Sequence, residues 1–448
     1  SFLGSLDGNN YNITNLYIGP PIYDYKGLFC ASSGKIKNLG IKNITISSPS
    51  YSYIGGITGS NSGLINNSFV YGNITGYSYV GGIAGYNNGN ITKCGFSGNL
   101  SSGQRYGGGI VGWMESGLIE DCFSFKTDEF GGTIGGRGSS GSAIGGLVGY
   151  LTGGKINKSY SKDMLIWTPT SVGGGLVGQI LNDGSIYNSY STSNVTVMGS
   201  YGGGLVGEVH GTYYGFISNS YSTGFVSVDG VYYGGFIGAI SVNFEDRVTT
   251  SFFNNQTSGI PFACGGSAQC SGVTPLPTSE MKKISNYQNA GWKIFYTDEN
   301  INDGYPFLAW QGTPFGDFIW LIYLNCTTLD CSKGCYTLKN SSGIKVAIFD
   351  NEGNLCLRGQ AYQNNVGTPD GRDFIIKNST TGNIVAWIDD STGNLRLRGN
   401  LTKKTVSFCS PPQKSFIFKN RTSGNCVSYF DSEGNLILRG IVIENANL

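Results

Sequence analysis

One pattern recurs across the first 240 residues and limits what the chain can fold into. Two glycines are followed by two apolar or small residues and another glycine: Tyr53-IGGITG, Tyr79-VGGIAG, Tyr106-GGGIVG, Ala143-IGGLVG, Ser171-VGGGLVG, Tyr201-GGGLVG and Tyr232-YGGFIG. The second glycine of each pair stands at 56, 82, 109, 146, 174 (or 175), 204 and 235, so most intervals are 26–31 residues. A second half follows at a steady offset, as in SGLINNSFVYGNIT (62–75), NGNITKCGFSGNL (88–100), SGLIEDCFSF (116–125), GGKINKSYS (153–161), DGSIYNSYSTSNVTV (183–197) and YGFISNSYSTGFVSV (214–228). Each period therefore holds three strand-length stretches, apolar at alternate positions and bounded by Gly, Asn or Ser. Such a unit cannot bury its own apolar face. Stacking units one above another does, which predicts an all-β solenoid with one unit per rung and strands about 4.8 Å apart. The one long interval, before 146, contains GGTIGGRGSSGS (131–142), which reads as an inserted loop.

Three copies, at 107–112, 173–178 and 202–207, also satisfy G-x-G-x-x-G, the turn that brings backbone amides to a dinucleotide. Ile54, Val80 and Ile144 break that pattern in other copies, and no helix follows any of them. No cofactor is expected. The glycines read as tight corners and close backbone stacking, with Leu205 and Val206 supplying one inward and one outward residue per rung.

The combined G-[GL]-[LI]-[VAT]-G and G-x-I-x-N-[SC] repeat resembles the GLUG-motif family of surface and secreted proteins. The lead-in FLGSLDGNNYNITNLYI (2–18) and KGLFCASSGKIKNLGIKNITI (26–46) resemble its opening rungs. SFFNNQTSG (251–259), PTSEMKKISNYQNAGWKIF (277–295) and NDGYPFLAWQ (302–311) resemble its close. The resemblance covers about residues 1–312 and implies a right-handed β-solenoid in an extracellular setting, with no single activity. Within it, 251–312 reads as a cap. Thr278 or Ser279 would cap a short helix with Glu280 in its first turn, and Trp292, Tyr305, Phe307 and Trp310 would seal the core.

The pattern changes after 313. A Cys-containing segment (313–334) leads into three units, CYTLKNSSGIKVAIFDNEGNLCLRG (335–359), DFIIKNSTTGNIVAWIDDSTGNLRLRG (373–399) and SFIFKNRTSGNCVSYFDSEGNLILRG (415–440). Each reads strand, Gly turn, strand, Gly turn, strand, which predicts β-hairpin or meander repeats over 335–448. Leu395 and Leu397 should face in, Arg396 and Arg398 out. The turns at Asp350–Gly353, Asp389–Gly393 and Asp431–Gly434 offer too few oxygens to favour calcium.

Only 13% of residues are charged and the net charge is +1, which gives no electrostatic case for nucleic acid or an anionic membrane. The longest apolar run, Phe318–Leu324, is strand-length, far short of the ~18 residues that span a bilayer. Fourteen N-x-[ST] sequons occur, at Asn12, Asn43, Asn66, Asn73, Asn90, Asn99, Asn157, Asn194, Asn255, Asn325, Asn340, Asn378, Asn400 and Asn420. The eleven cysteines contain no CxxC pair. Disulfides are the better reading, with Cys264 and Cys270 bracketing a short loop and Cys326, Cys331, Cys335, Cys356, Cys409 and Cys426 as further candidates. Cys94 and Cys122 share one repeat position a rung apart, so they form either a disulfide or an inward thiol ladder. Sequons and disulfides together predict a secreted, N-glycosylated product, and the start at Ser1 reads as a chain whose leader has been removed.

Catalytic constellations are sparse. His210 is the one histidine and reads as a solvent-facing turn residue. The acids Glu115, Glu120, Asp121, Asp163, Asp183 and Glu208 do not recur at matching rung positions, and a strand would send Glu120 and Asp121 to opposite faces. An enzyme acting on polysaccharide is therefore the weakest of three readings. Tyrosines at 51, 53, 77, 79, 106, 201, 213, 214, 232 and 233 could pack between rungs or stack on sugars, which gives a surface adhesin for carbohydrate or host protein. The leading expectation is a structural, glycosylated subunit of a cell-surface filament. It would join copies of itself through β-edges, through Phe2–Leu6 or through the tail at 440–448.

Overall fold

The computed structural model describes residues 1–19, 23–138, 141–169, 172–211, 214–240, 244–265, 270–292, 295–296, 302–308 and 311, and beyond these the strands between 336 and 443 with a few flanking positions. The chain divides into two units, Ser1–Ala309 and Trp310–Leu448.

The first unit is a parallel β-solenoid. Each turn contributes to three sheets, and equivalent strands pair in register from turn to turn. The first sheet holds Phe29–Ser32 and then the segment after each glycine pair: Thr58–Asn61, Ala84–Asn87, Val111–Met114, Val148–Leu151, Val177–Leu181, Val206–His210 and Ile237–Ile240. The second sheet has nine strands, from Ser5–Asp7 through Lys35–Lys37 and Leu64–Asn66 to Val248–Thr249. A third runs through Gly40–Gly55, Phe69–Gly81 and Gly95–Ser102 to Ser251–Asn254 and Val273–Leu276. Along the second sheet, Ile36, Ile65, Ile91, Ile119, Ile156, Ile186, Ile217 and Val248 stack in direct register. All are within 1% of full burial. Each such side chain is worth about 1.5–3 kcal/mol on removal from water, so this one ladder is a main source of cohesion.

The corner between second and third sheets explains the N-[SC] signature. Its first residue takes a left-handed conformation in every turn: Asn38, Asn67, Lys93, Asp121, Lys158, Asn188, Asn219 and Thr250 have φ between 45° and 55°. Asn and Asp tolerate this best. Next comes a buried Ser or Cys in all but the first of these turns, where Leu39 stands: Ser68, Cys94, Cys122, Ser159, Ser189, Ser220 and Ser251. Each side chain donates to the carbonyl two residues back, at 2.7–2.9 Å for the serines and 3.2 Å for the two cysteines. All but Cys94 also accept a backbone N–H from the adjacent rung, as from Cys122 to Ser159 Oγ at 3.1 Å and from Ser159 to Ser189 Oγ at 3.1 Å. The ladder thus satisfies amides that the corner diverts from sheet pairing. Cys94 and Cys122 stand in it as two buried, free thiols and not as a disulfide. Their sulfurs are occupied as hydroxyl substitutes. Cys264 and Cys270 do form a disulfide.

Several expectations are corrected. Leu205 and Val206 are both fully buried. Leu205 lies in a bend, where strand alternation does not apply. Thr133–Gly136, within the stretch expected as an insertion, is a rung strand paired with Gly95–Ser102 and Leu165–Thr168. The helix Thr278–Met281 starts after Pro277 with no side-chain cap, so neither Thr278 nor Ser279 plays that part, although Glu280 does lie in its first turn. With Ile284–Asn289 it closes the last rung, where Trp292, Tyr305 and Phe307 are buried. Trp310 lies outside the described residues.

Inside the third sheet an aromatic column runs toward this cap. Tyr160, Tyr190 and Tyr221 stack at 5.0 and 4.8 Å with planes within 4°. Phe252, Tyr287 and Trp292 close its end. The Tyr221 hydroxyl donates to the Pro306 carbonyl and accepts from Asn302 Nδ2 at 2.7 Å.

The second unit contains three four-stranded sheets, each with an antiparallel meander. The meanders are Tyr336–Lys339/Lys345–Phe349/Leu355–Leu357, Phe374–Lys377/Ile384–Ile388/Leu395–Leu397 and Phe416–Lys419/Cys426–Phe430/Leu436–Leu438. All three carry a register shift at the same place, after Leu338, Ile376 and Phe418. Leu395 and Leu397 are buried and Arg398 is exposed, as alternation requires. Arg396 is half-buried and lies over the Trp387 ring at 5.6 Å. The tail expected to seek a neighbour is used within the chain, where Val442–Ile443 pairs in parallel with Leu355–Cys356.

Candidate functional site

The outward residues of the first sheet form one continuous strip. Within each of these strands the residue after the central glycine (T-G, A-G, V-G or I-G) points away from the core, and register aligns Ser60, Tyr86, Trp113, Tyr150, Gln179, Glu208 and Ala239. The apolar partners on either side, such as Val111 and Met114, are fully buried, so this alternation is what puts an aromatic or amide on the outer face.

The strip has an aromatic half and a polar half. Tyr86 and Trp113 meet nearly at right angles, 82° apart with centroids at 5.2 Å. Tyr106 stacks on Tyr150 at 4.1 Å. Trp113 Nε1 donates to Thr152 Oγ1 at 3.1 Å, which fixes the indole. Burial pushes the Tyr150 hydroxyl up to about 12 and raises Tyr106 and Tyr201 as well. Tyr86 rises through burial and through its hydrogen bond to Glu115. These phenols are therefore neutral donors throughout the physiological range. In the polar half, Gln179 Nε2 donates to Glu208 Oε2 at 2.6 Å. Burial lifts Glu208 above its ordinary range, opposed by His210 and by the Gln179 hydrogen bond.

Tyr25, Tyr53 and Tyr79 stack face to face beside the strip, at 4.5 and 4.7 Å. Stacking covers both faces of Tyr53, while Tyr25 at the end of the stack is exposed. Tyr201 and Tyr232 stack similarly at 5.4 Å. Tyr51 carries Lys26 over its ring at 4.0 Å. Tyr77 and Tyr214 are exposed and stand apart, and Tyr213 lies outside the described residues.

The sequence candidates for chemistry are scattered. Glu115 and Glu208 belong to this face, three rungs apart, or about 14 Å at 4.8 Å per rung. Paired carboxylates that cleave a glycosidic bond need about 5–10 Å. Glu120 lies on the second sheet and accepts from Asn157 Nδ2 at 2.6 Å. Asp121 occupies the left-handed corner after it, so the two are not opposite faces of one strand. Asp163 accepts from Thr192 at 3.1 Å on the third sheet, and Asp183 is an exposed turn residue. His210 ends a strand, exposed, with Nδ1 3.8 Å from Glu208 Oε1. Among the described residues no three His, Cys, Asp or Glu side chains gather as a metal site.

The nine described sequon asparagines avoid this face. Asn66, Asn90 and Asn157 are on second-sheet strands, and Asn12, Asn43, Asn73, Asn99 and Asn194 are on third-sheet strands, with Asn255 just beyond one. Asn325, Asn340, Asn378, Asn400 and Asn420, together with Cys326, Cys331, Cys335 and Cys409, lie outside the described residues. Cys356 and Cys426 are placed in strands only. Tyr25, Tyr86, Trp113 and Tyr150 escape a reading that follows the tyrosines around the glycine pair. The legible signal is the residue after each V-G or A-G.

No protein-family model matches the chain, and no curated protein matches it. A crystal structure from Bacteroides ovatus, of a protein provisionally named an immunoglobulin A1 protease, is similar at a TM-score of 0.37 and 20% identity over 68% of this chain and 76% of that one. No helix among the described residues is long and apolar enough to cross a membrane.

Proposed function

We propose that the protein is an extracellular surface protein that binds carbohydrate along the first sheet. The observation that carries this reading is the coincidence of an aromatic and amide strip with the one of the solenoid's three sheets that has no sequon among its described residues. Glycans on the other two sheets would leave the strip bare. Its rings offer apolar surface to sugar faces, its neutral phenols donate, and Glu115, Gln179 and Glu208 accept or bridge hydroxyls. The wide spacing of Glu115 and Glu208 favours binding over hydrolysis. The disulfide, the sequons and the GLUG-type resemblance support an extracellular setting.

A glycan array probed with the full chain tests it. Binding should fall at least tenfold in Trp113→Ala and in Glu208→Gln, and stay unchanged in Tyr17→Ala, an exposed residue away from the strip. Equal binding by all three variants, or none by the parent chain, overturns it. The strand topology of the second unit favours a second reading, a filament or fibre subunit built from copies of this chain.

A further inference from the structure

Each sheet of the second unit receives its fourth strand from outside its own meander, and the donors follow one rule. Ala361–Tyr362, which follows the first meander, pairs with Leu395 and Arg396 of the second. Leu401–Thr402, which follows the second, pairs with Leu436 and Ile437 of the third. Val442–Ile443, which follows the third, pairs with Leu355 and Cys356 of the first. All three joints are parallel and fall at the same register. In each, three residues beginning Arg-Gly separate the donor from the strand before it: 358–360, 398–400 and 439–441.

The third joint differs in one respect. The first two donors pass to the next meander along the chain. The third passes back across the whole unit, from 442 to 355. The local requirements of donation, a three-residue link and an open strand edge, are the same in all three. They do not demand that the last acceptor belong to the same chain. We infer that Val442–Ile443 is an exchangeable latch, closing its own ring in the isolated chain and adding to the Leu355–Leu357 edge of a second copy during assembly. This inference rests on the filament reading. Donation from the third meander of one copy to the first of the next is head-to-tail. Such a contact builds open chains unless a rotation happens to close it. Concentration selects between the states, because the intramolecular edge competes at a fixed effective concentration and the second copy does not.

The register supplies the test, since Ile443 stands opposite Cys356. Full-length Ile443→Cys is separated into monomer and oligomer fractions over a range of concentrations and then oxidised. The fractions are run without reductant, and the peptide that joins Cys356 to the introduced thiol is mapped by mass spectrometry. Cys356→Ser combined with Ile443→Cys serves as control. The expected result is a 356–443 link within single chains in the monomer fraction and between chains in the oligomer fraction, growing with concentration and absent from the control. Oligomers in which every 356–443 link stays within one chain overturn the exchange and leave filament assembly to another contact. A chain that is monomeric at every concentration overturns both readings.

Discussion

Cys122 Sγ accepts the backbone N–H of Cys94 at 3.4 Å, one rung away. On the neighbouring rungs the same bond is made to a serine hydroxyl, as from Cys122 to Ser159 at 3.1 Å. Cys122 is therefore a ladder member that satisfies an amide, and Cys94 shares the ladder's donation to the carbonyl two residues back.

Replacing Cys122 with Ser should then change stability by less than about 1 kcal/mol, because the hydroxyl meets the same two partners. Cys122→Ala leaves a buried amide unsatisfied and should cost about 1–3 kcal/mol in urea unfolding. Burial holds the Cys122 thiol far above its ordinary range. Iodoacetamide should accordingly label the exposed Cys30 in native protein, and Cys94 and Cys122 only after unfolding.

The corner glycines are held by space. A Cβ on Gly175 would lie 2.1 Å from the Gly204 carbonyl oxygen, whereas one on Gly103 would come no nearer than 3.5 Å to any atom. Gly175→Ala should lose about 3 kcal/mol or more, and Gly103→Ala less than about 1. Comparison of thermal midpoints checks both.

Alkaline pH should unfold the solenoid from its capped end. Burial raises Tyr221 and Tyr287 well above the ordinary tyrosine value. In the unfolded chain they ionise near pH 10 while the folded chain keeps the proton, so this stability is present in full below pH 10 and falls as pH rises beyond it. Each group contributes a slope of up to about 1.4 kcal/mol per pH unit. Unfolding free energy measured between pH 9 and 11.5 should show that decline, and Tyr221→Phe should make it shallower. The same substitution should cost about 1–3 kcal/mol at pH 7, where it removes one hydrogen bond from Asn302 and one from Pro306, which keep the 3.1 Å bond between them.

Glycan occupancy in eukaryotically secreted material should follow exposure and amide use. Asn12, Asn73, Asn90 and Asn194 are exposed and should carry glycans. Asn66 Nδ2 is committed to Thr92 Oγ1 at 2.8 Å and Asn157 Nδ2 to Glu120 at 2.6 Å, and both should stay bare. Peptide mapping by mass spectrometry distinguishes the two groups.

How far the sequence reached is clearest at single positions. The period, the three strands per turn, the three C-terminal meanders and the Cys264–Cys270 bridge were legible because each is a local regularity: alternation, turn residues, or two cysteines close along the chain. The outer strip was less legible. Tyr86, Trp113, Tyr150, Gln179 and Glu208 are four kinds of side chain at five positions under one backbone rule, and they become a surface only when register stacks them. The choice between a disulfide and free thiols at Cys94 and Cys122, the burial of both Leu205 and Val206, and the return of Val442–Ile443 to Leu355–Cys356 lay beyond sequence reading. Periodicity determines that units stack. Which atoms meet at a corner, and which distant edge a strand finds, is decided by three-dimensional packing, because those energies depend on distances between residues that no local pattern encodes.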